Sequence, residues 1–271
     1  MASYFETWLF GAIWRKKWRQ KQQCARLGFY PNVIMLAKPN QDRTYPQGNR
    51  PISLTNATAK IFERIILTRI KSHCKAIDCI PPKQCGFREG QSTLHQLIRV
   101  TNIINEGFAH KFYTVGLFLD VKRAFDKMWH DGLTYKLIKL QFPDYLIKII
   151  HNFLHNRTFR VRVNNSYSNT GSCLSGVPKG SILSPYLYNI YTHDFPQHST
   201  VSTCLFADDS AVLSQGVQLK YTIKAVQHFL DKLETWLTHW RITINVDKSQ
   251  AIVFRKWRVI DPPFQLMGGA D

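Results

Sequence analysis

Apolar residues recur every three or four positions in three segments of the chain, and this spacing predicts three amphipathic helices. The first begins at Ser53 and is ended by the proline-containing segment 80–87, and the second follows Asp126, which we expect to cap its start. The third spans 219–240 and has the most regular spacing. The core-forming stripes are Ile61, Phe62, Ile65, Ile66 and Ile70 in the first helix, Trp129, Leu133 and Leu137 in the second, and Leu219, Ile223, Val226, Leu230, Leu233, Leu237 and Trp240 in the third.

Strand patterns alternate with these helices. Residues 112–121 form an apolar run that ends on the carboxylate of Asp120, and residues 159–168 alternate apolar side chains with Arg160 and Arg162 before an Asn-Asn turn. Residues 241–254 have the pattern of two short strands about a turn at 247–248. We therefore expect an α+β fold in which helices pack on a mixed or antiparallel sheet.

Asp208 and Asp209 interrupt the apolar run at 204–213. Neighbouring side chains of a strand point to opposite faces, so two adjacent carboxylates can share a ligand only at a turn, and the run is predicted to be a hairpin. Burying both carboxylates without a counter-charge would be costly, and carboxylates without His or Cys beside them favour Mg²⁺. The alternative is that both are ordinary hairpin-tip residues, because Asp is favoured in turns.

The charge of the chain indicates a polyanionic partner. The sequence has 36 Lys and Arg against 18 Asp and Glu, a formal net charge of +18, which favours nucleic-acid binding. Membrane attachment is the weaker alternative, because the apolar stretch at 4–14 is too short to cross a bilayer and contains Glu6. The basic run at 15–26 is interpreted as a helix face, with a nuclear address or an interfacial anchor as alternatives.

The six cysteines have neither a C-x-x-C pair nor a His at zinc-finger spacing. We interpret them as free thiols of an intracellular protein. The location is expected to be nuclear, cytoplasmic or both.

Five segments resemble, in their order along the chain, the motifs of reverse transcriptases of the jockey type of non-LTR retrotransposon. They are NRPISL at 49–54, QCGFREGQST at 84–93, FLDVKRAFD at 118–126, SGVPKGSILSP at 175–185 and LFADD at 205–209. The resemblance implies a right-hand polymerase with fingers at about 28–111 and a palm at about 112–255, including a helical insertion between them. A basic helical segment at 1–27 would precede the fingers, and the short tail at 256–271 implies an absent or truncated thumb.

The resemblance also implies a catalytic set. Asp120 and Asp208 would hold two Mg²⁺ ions, with Asp209 as a supporting ligand and the backbone carbonyl of Val121 as a contact to one ion. Lys248 would protonate the leaving pyrophosphate, and the alternative for Lys248 is an ordinary surface turn lysine.

A second set would bind the nucleotide. Arg50 and Lys38 would hold the triphosphate, unless they belong to a solvated basic loop. Phe125 would lie beneath the sugar, where its ring would clash with a 2′-hydroxyl, unless it is only a core residue. Gly176, Pro178 and Gly180 would form a turn that brings the backbone close to template and nucleotide, with Ser181 starting a helix at Leu183. Lys179 stands where the family usually has Gln, so a side chain that donates and accepts is replaced by one that only donates.

The expected function is RNA-directed DNA synthesis, with an RNA template, a DNA primer and deoxynucleotides as partners and no membrane. Lys179 and the short tail favour the alternative of a degenerate, element-derived protein that only binds nucleic acid. A viral-type RNA-dependent RNA polymerase is disfavoured by Phe125, because such an enzyme is expected to place a polar residue beneath the ribose.

Overall fold

The computed structural model describes residues 32–42, 44–45 and 48–256, so the predicted helical segment at 1–27 lies outside the described residues. The elements follow one another as β1 Asn32–Ala37, β2 Asn49–Leu54, α1 Ala57–Ala76, α2 Thr93–Ala109, β3 Tyr113–Leu119, α3 Ala124–Lys127, α4 His130–Lys139, α5 Asp144–Leu154, β4 Arg157–Val163, β5 Ser166–Tyr167, β6 Gly171–Cys173, α6 Ser184–Tyr191, β7 Ser202–Phe206, β8 Asp209–Gly216, α7 Leu219–His239, a 3-10 turn Val246–Lys248 and β9 Gln250–Phe254. Within these residues no helix combines the length and the apolar character needed to cross a membrane.

A four-stranded antiparallel sheet, in the order β7-β8-β3-β9, forms the centre of a three-layer unit. Strand β3 is apolar on both faces because both are covered: Val115 and Leu117 pack towards α7, and Phe118 packs towards α2. A strand that is covered on both sides needs no polar alternation, which explains its continuous apolar sequence. The sheet ends, at one edge, where β3 gives way to Asp120.

A second sheet has the order β2-β1-β4-β5, with β6 also paired to β4. Strands β1 and β2 are antiparallel and β1 and β4 are parallel, and paired residues on neighbouring strands point to the same face. The register therefore places Arg50, Arg160, Arg162 and Tyr167 on one face, which we call the open face. Leu36 and Leu54 share this face and are 50% and 47% exposed, so the described residues leave it accessible.

Helices α1, α4, α5 and α6 form a separate helical core. Leu133, Leu137, Ile150, Leu183 and Leu187 are all fully buried there. Each such side chain contributes about 2 kcal/mol of hydrophobic stabilisation. This core supports α3, which carries the candidate site residue Phe125.

Several predicted elements are confirmed. Helix α7 and strand β3 have the predicted positions, β4 and β5 form the predicted hairpin about Asn164 and Asn165, and β7 and β8 form a hairpin about residues 207–208. The α+β class is confirmed as well. The cysteines within the described residues are free thiols, and Cys24 lies outside them.

The predicted start of the first helix is wrong, and its predicted stripe is confirmed in part, because Ile66 and Ile70 are buried and Phe62 packs against the helical core. Helix α1 begins at Ala57, with Asn56 as its cap, because Ser53 is still part of β2. Ile61 and Ile65 are 59% and 51% exposed. The buried stripe is rotated around the helix and consists of Ala59, Glu63, Ile66, Ile70 and Cys74.

The predicted second helix is divided. Helix α3 is a single turn, Met128 leaves the helical conformation with ψ of 125°, and α4 begins at His130. Asp126 therefore lies inside α3 and is not a cap. The stripe at Leu133 and Leu137 is nevertheless buried as predicted.

The segment 241–254 forms one strand, β9, where we predicted two. The first predicted strand is reduced to an isolated bridge between Ile244 and Val121, a residue that already lies beyond the end of β3. The 3-10 turn Val246–Lys248 follows Ile244 closely. Helix α6 begins at Ser184, one residue later than predicted, and the hydroxyl of Ser181 accepts a hydrogen bond from Leu183 N.

Candidate active site

Asp120 is held at the end of β3 by the segment that precedes β9. The backbone N–H of Asn245 donates to Asp120 O at 2.7 Å, and Asn245 Nδ2 donates to Asp120 Oδ2 at 2.9 Å. The Asp120 N–H donates to Ser249 Oγ at 3.4 Å. Asn245 thus fixes the orientation of the carboxylate, a role that the sequence pattern did not reveal.

The hairpin turn before Asp208 is held by Gln84. Ala207 has a φ of +58°, in the left-handed region, and Gln84 Oε1 accepts from Ala207 N at 2.9 Å. Gln84 Nε2 donates to Ala207 O at 3.2 Å, so one side chain bonds both sides of this residue. A Cβ atom at Gly86 would collide with the Ala207 backbone, which explains why a glycine follows closely after Gln84.

The register brings the three carboxylates to one edge of the four-stranded sheet. Leu119, the last residue of β3, pairs with Ser210 of β8. One position further along, Asp120 comes opposite Asp209, which pairs on its other side with Phe206 of β7. Burial raises the pKa of Asp208, and the charge of Asp120 raises it further. Burial also raises the pKa of Asp209, followed by the charges of Asp208 and Asp120. The carboxylates therefore repel one another across a shared space.

Two lysines act in the opposite direction. The charge of Lys179 lowers the pKa of Asp208, and the charge of Lys248 lowers the pKa of Asp209. Lys248 is exposed at the end of the 3-10 turn. The pKa of each aspartate nevertheless stays raised overall, because burial and the neighbouring carboxylates outweigh the lysine. The negative charge of the site is therefore not fully balanced by the two lysines.

The donor chemistry of this site fits a hard divalent cation. Its ligands are carboxylate oxygens from Asp120, Asp208 and Asp209 without His or Cys, and their mutual repulsion is what a bound cation relieves. In residues 32–42, 44–45 and 48–256, however, no group of three or more His, Cys, Asp or Glu side chains is already closed into a geometry that could hold an ion. The three carboxylates thus lie near one another without a preformed metal-coordination geometry.

Phe125 lies between two other aromatic rings. Its ring is stacked on Tyr188 with centroids 5.1 Å apart and meets the edge of Phe87 at 5.9 Å. Tyr188 is buried, and burial raises the pKa of its phenol, with Asp208 and Asp209 raising it further. Tyr188 therefore supports the Phe125 ring and lies within reach of the charges of Asp208 and Asp209. The sequence pattern does not reveal this role, because Tyr188 lies among the apolar residues of α6.

The turn at 176–180 follows the backbone of α3. Gly176 N–H donates to Met128 O at 2.8 Å, and Val177 N–H donates to Phe125 O at 2.7 Å. Gly176 has a φ of +76°, and a Cβ atom there would lie 2.5 Å from Asp126 O. The position therefore requires glycine for both conformation and space.

The same turn also reaches the second sheet. Ser53 N–H donates to Lys179 O at 2.7 Å, and a Cβ atom at Gly180 would lie 2.6 Å from Ser53 O. Lys179 Nζ is 2.7 Å from Asp126 Oδ2. Asp126 thus forms an ion pair with Lys179 of this turn.

Glu63 anchors the start of α6. Its Oε2 accepts hydrogen bonds from Ser181 Oγ at 2.6 Å, Ile182 N at 2.6 Å and Leu183 N at 3.3 Å. A buried carboxylate satisfies the unpaired N–H groups of a helix start and interacts favourably with its dipole. An acidic residue between apolar neighbours in the predicted first helix was the available sequence indication of this role.

Arg50 and Lys38 belong to the second sheet. Arg50 is exposed on the open face, and Lys38 follows β1, where its backbone N–H donates to Gly48 O at 2.8 Å. Val121 follows Asp120 directly, and the buried Pro178 lies within the turn at 176–180. The structure brings Lys179 and Lys248 near the three carboxylates, whereas Arg50 and Lys38 are carried by a different element.

A family model for reverse transcriptase (RNA-dependent DNA polymerase) matches residues 36–268. The RNA-directed DNA polymerase from mobile element jockey of Drosophila melanogaster is 36% identical over 242 residues, which are 84% of this chain and 26% of that protein. The probable RNA-directed DNA polymerase from transposon X-element of the same species is 35% identical over 267 residues, which are 97% of this chain and 29% of that protein. The chain therefore spans about a quarter of the length of these curated relatives.

A solved structure of apo telomerase from Candida tropicalis, truncated from its C-terminal domain, has a similar fold. The TM-score is 0.59 at 14% identity, and the match covers 92% of this chain and 55% of the telomerase chain. At this identity the likeness concerns the fold alone.

Proposed function

Because the chain belongs to the reverse transcriptase (RNA-dependent DNA polymerase) family, we propose that it forms the polymerase site of an RNA-directed DNA polymerase of a non-LTR retrotransposon. In this proposal the site adds deoxynucleotides to the 3′-hydroxyl of a DNA primer. One observation carries the proposal: two segments 88 positions apart, at Asp120 and Asp208, converge on one edge of a sheet, where the charge of Asp120 helps to raise the pKa of both Asp208 and Asp209.

Two Mg²⁺ ions are the proposed cofactors. Asp120 and Asp208 would hold them, with Asp209 in support and the carbonyl of Val121 as a further contact. Bound ions of this kind activate an attacking hydroxyl and stabilise a leaving pyrophosphate. The contribution of the protein is to fix the ligands, through Asn245 at Asp120 and through Gln84 at the turn before Asp208.

The remaining residues would bind the nucleotide. Phe125 would face the sugar, supported from behind by Tyr188. Gly176, Pro178, Lys179 and Gly180 would line the base and template side, and the ion pair to Asp126 would keep the ammonium of Lys179 at this turn. Arg50 and Lys38 would hold the triphosphate, and Lys248 would donate a proton to the leaving pyrophosphate.

The open face of the second sheet would hold the RNA template. Arg160, Arg162 and Arg50 share this face, and the guanidinium of Arg162 lies 6.0 Å from the centroid of the Tyr167 ring. Arginines bind phosphates and an exposed aromatic ring stacks on bases, a combination that suits a single strand. The formal net charge of +18 supports the same assignment.

Primer extension on an RNA template with Mg²⁺ tests this function. We expect wild-type protein to incorporate deoxynucleotides and Asp208→Asn to reduce incorporation by more than about 100-fold, because removal of a ligand costs at least as much as removal of a residue that supports it. Asp231→Asn, an exposed carboxylate on α7 that bonds Gln227, is the matched control and should retain activity. Folded wild-type protein that incorporates nothing, or incorporation that survives Asp208→Asn, would overturn the proposal.

A further inference from the structure

The backbone carbonyl of Gly176 accepts hydrogen bonds from two side chains to which the chemistry above gives no role. His130 Nε2 lies 2.7 Å from Gly176 O, and Arg157 Nη2 lies 2.5 Å from the same atom. A carbonyl oxygen has two lone pairs, so both donors can be accommodated at once. His130 is the first residue of α4 and Arg157 is the first residue of β4, so two elements meet on one atom of the turn at 176–180.

The chemical state of His130 suits this contact. The ring is 5% exposed, and burial lowers its pKa, with the charges of Arg157 and His155 lowering it further. A neutral imidazole carries one N–H, and because a carbonyl can only accept, the proton must be on Nε2. The neutral ring therefore acts as a fixed single donor.

Arg157 is also held in a fixed orientation. Its Nε donates to Leu154 O at 3.1 Å at the end of α5, and Nη2 lies 3.4 Å from Ser175 O. The planar guanidinium thus joins the end of one helix to the start of the turn. A lysine could not make this pair of contacts.

The position of Phe125 depends on this carbonyl. Helix α3 is a single turn whose backbone is bonded to the turn on both sides of Gly176 O, through Gly176 N to Met128 O and through Val177 N to Phe125 O. A shift of Gly176 therefore changes the place of the Phe125 backbone relative to Gly180. Both would face the incoming nucleotide.

We propose that His130 and Arg157 are positioning residues that together hold the carbonyl of Gly176, fix Phe125 against the turn at 176–180, and so set the discrimination between deoxynucleotides and ribonucleotides. The first claim, that the two side chains hold the turn and Phe125 in place, rests on the geometry alone and is the mechanical part of the proposal. The second claim, that they set sugar discrimination, rests on the proposed function.

The test uses variants that remove or retain the donors. His130→Leu and Arg157→Leu each remove one donor, the double variant removes both, and His130→Gln keeps an N–H near the place of Nε2. His193→Leu is the matched control, since His193 is a half-buried histidine whose Nδ1 bonds the carbonyl of Ile190 at 2.9 Å, outside the turn. Arg69→Leu is the control for loss of an arginine, because its guanidinium lies over the ring of Tyr145.

Amide hydrogen exchange of the turn is the first measurement and needs no enzymatic activity. We expect faster exchange at 175–181 in His130→Leu and Arg157→Leu, wild-type exchange in His130→Gln, and no change at the turn in the two controls. Unchanged exchange in both single variants would overturn the mechanical part of the proposal. Wild-type protein that incorporates no nucleotide would count against the proposed function, and the exchange result would still decide whether the two side chains hold the turn.

Steady-state kinetics is the second measurement. We expect the ratio of kcat/KM for deoxynucleotide over ribonucleotide to fall by about threefold to tenfold in each single variant, the effect of one lost hydrogen bond. The change should appear mainly as a lower KM for the ribonucleotide, because a displaced Phe125 ring no longer excludes its 2′-hydroxyl. His130→Gln should resemble wild type, and the double variant should lose less than the product of the two single losses, because both donors share one acceptor. An unchanged ratio despite faster exchange at the turn would overturn the role in sugar discrimination, as would an equal loss in the His193→Leu control.

Discussion

The ring of Phe125 is supported on one face by the buried Tyr188 and at its edge by Phe87. Phe125 also packs against the helical core, and its backbone oxygen lies 2.6 Å from the place of a Cβ atom at Gly176, in the turn proposed to face the nucleotide. At the scale of the residue, these surroundings agree with both roles that the sequence leaves open, a core side chain and a wall against the ribose.

We expect Phe125→Val to raise the incorporation of ribonucleotides relative to deoxynucleotides by about tenfold, since removing bulk from a site that excludes one group relaxes discrimination by such factors. The measurement is single-nucleotide extension with each nucleotide type at matched concentrations. Phe153→Val, which shortens a partly buried ring of the helical core on α5, is the control for loss of packing. An equal change in Phe125→Val and Phe153→Val would mean that Phe125 acts only as a core side chain.

At the scale of the element, a buried lysine joins α4, α6 and α7. Lys136 is 1% exposed, its Nζ bonds the carbonyl of Tyr191 and lies 2.5 Å from Asp194 Oδ1, and it lies 3.6 Å from the centroid of the Trp240 ring. Burial lowers the pKa of Lys136 to about 8, against the raising effect of Asp194. Aromatic faces and one carboxylate thus compensate only part of the cost of burying this ammonium.

This lowered pKa gives a dependence of stability on pH whose sign can be stated. Because the unfolded lysine keeps its proton up to about pH 10.4 and the folded one releases it near pH 8, the unfolded state binds more protons between these values, and stability gains as pH rises through this window. We expect wild type to gain about 1 kcal/mol relative to Lys136→Met between pH 7 and pH 9, measured by urea unfolding. Lys75→Met, at an exposed lysine on α1, is the control and should gain as much stability as wild type between pH 7 and pH 9. The same gain in Lys136→Met would contradict the lowered pKa of Lys136 as the cause.

The elements also show what the sequence could predict and what it could not. Asp120, Asp208 and Asp209 were found because each interrupts or ends an apolar run, a property of the local pattern. The roles of Gln84, Asn245 and His130 were missed because each side chain bonds a group far away in sequence, a backbone group for Gln84 and His130 and the Asp120 carboxylate for Asn245. No period or spacing encodes such a contact, and for the same reason the sequence does not reveal the ion pair between Asp126 and Lys179, which are 53 positions apart.

At the scale of the whole molecule, the positively charged surfaces differ in the residues that surround the charges. Arginines on the open face lie beside exposed aliphatic side chains and Tyr167, whereas lysines of α7 such as Lys220 and Lys224 project from the polar side of a helix that packs on the other sheet. A surface with arginine and an aromatic ring can contact both phosphates and bases. A surface with lysine alone attracts phosphates without a defined geometry.

We expect Arg160→Gln with Arg162→Gln to weaken binding of single-stranded RNA and to reduce the slope of log K against log salt by about 1.4, the value for two phosphate contacts on a single strand. Fluorescence anisotropy over a salt series measures both quantities. Lys220→Gln with Lys224→Gln removes the same charge and should leave the slope nearly unchanged. Equal effects of the two pairs would mean that net charge alone, and not the open face, binds the RNA.

The contacts that build the site connect very distant parts of the chain. Gln84 and Ala207 are 123 positions apart, Asp120 and Asn245 are 125 apart, and Glu63 and Ser181 are 118 apart. Closing such long loops is slow, so the carboxylate edge is expected to assemble late in folding, after the helical core whose α4 and α5 are neighbours in sequence. During synthesis the ribosome must therefore release residue 245 before Asp120 can be oriented, and a shorter nascent chain would have the helical core without an ordered catalytic edge.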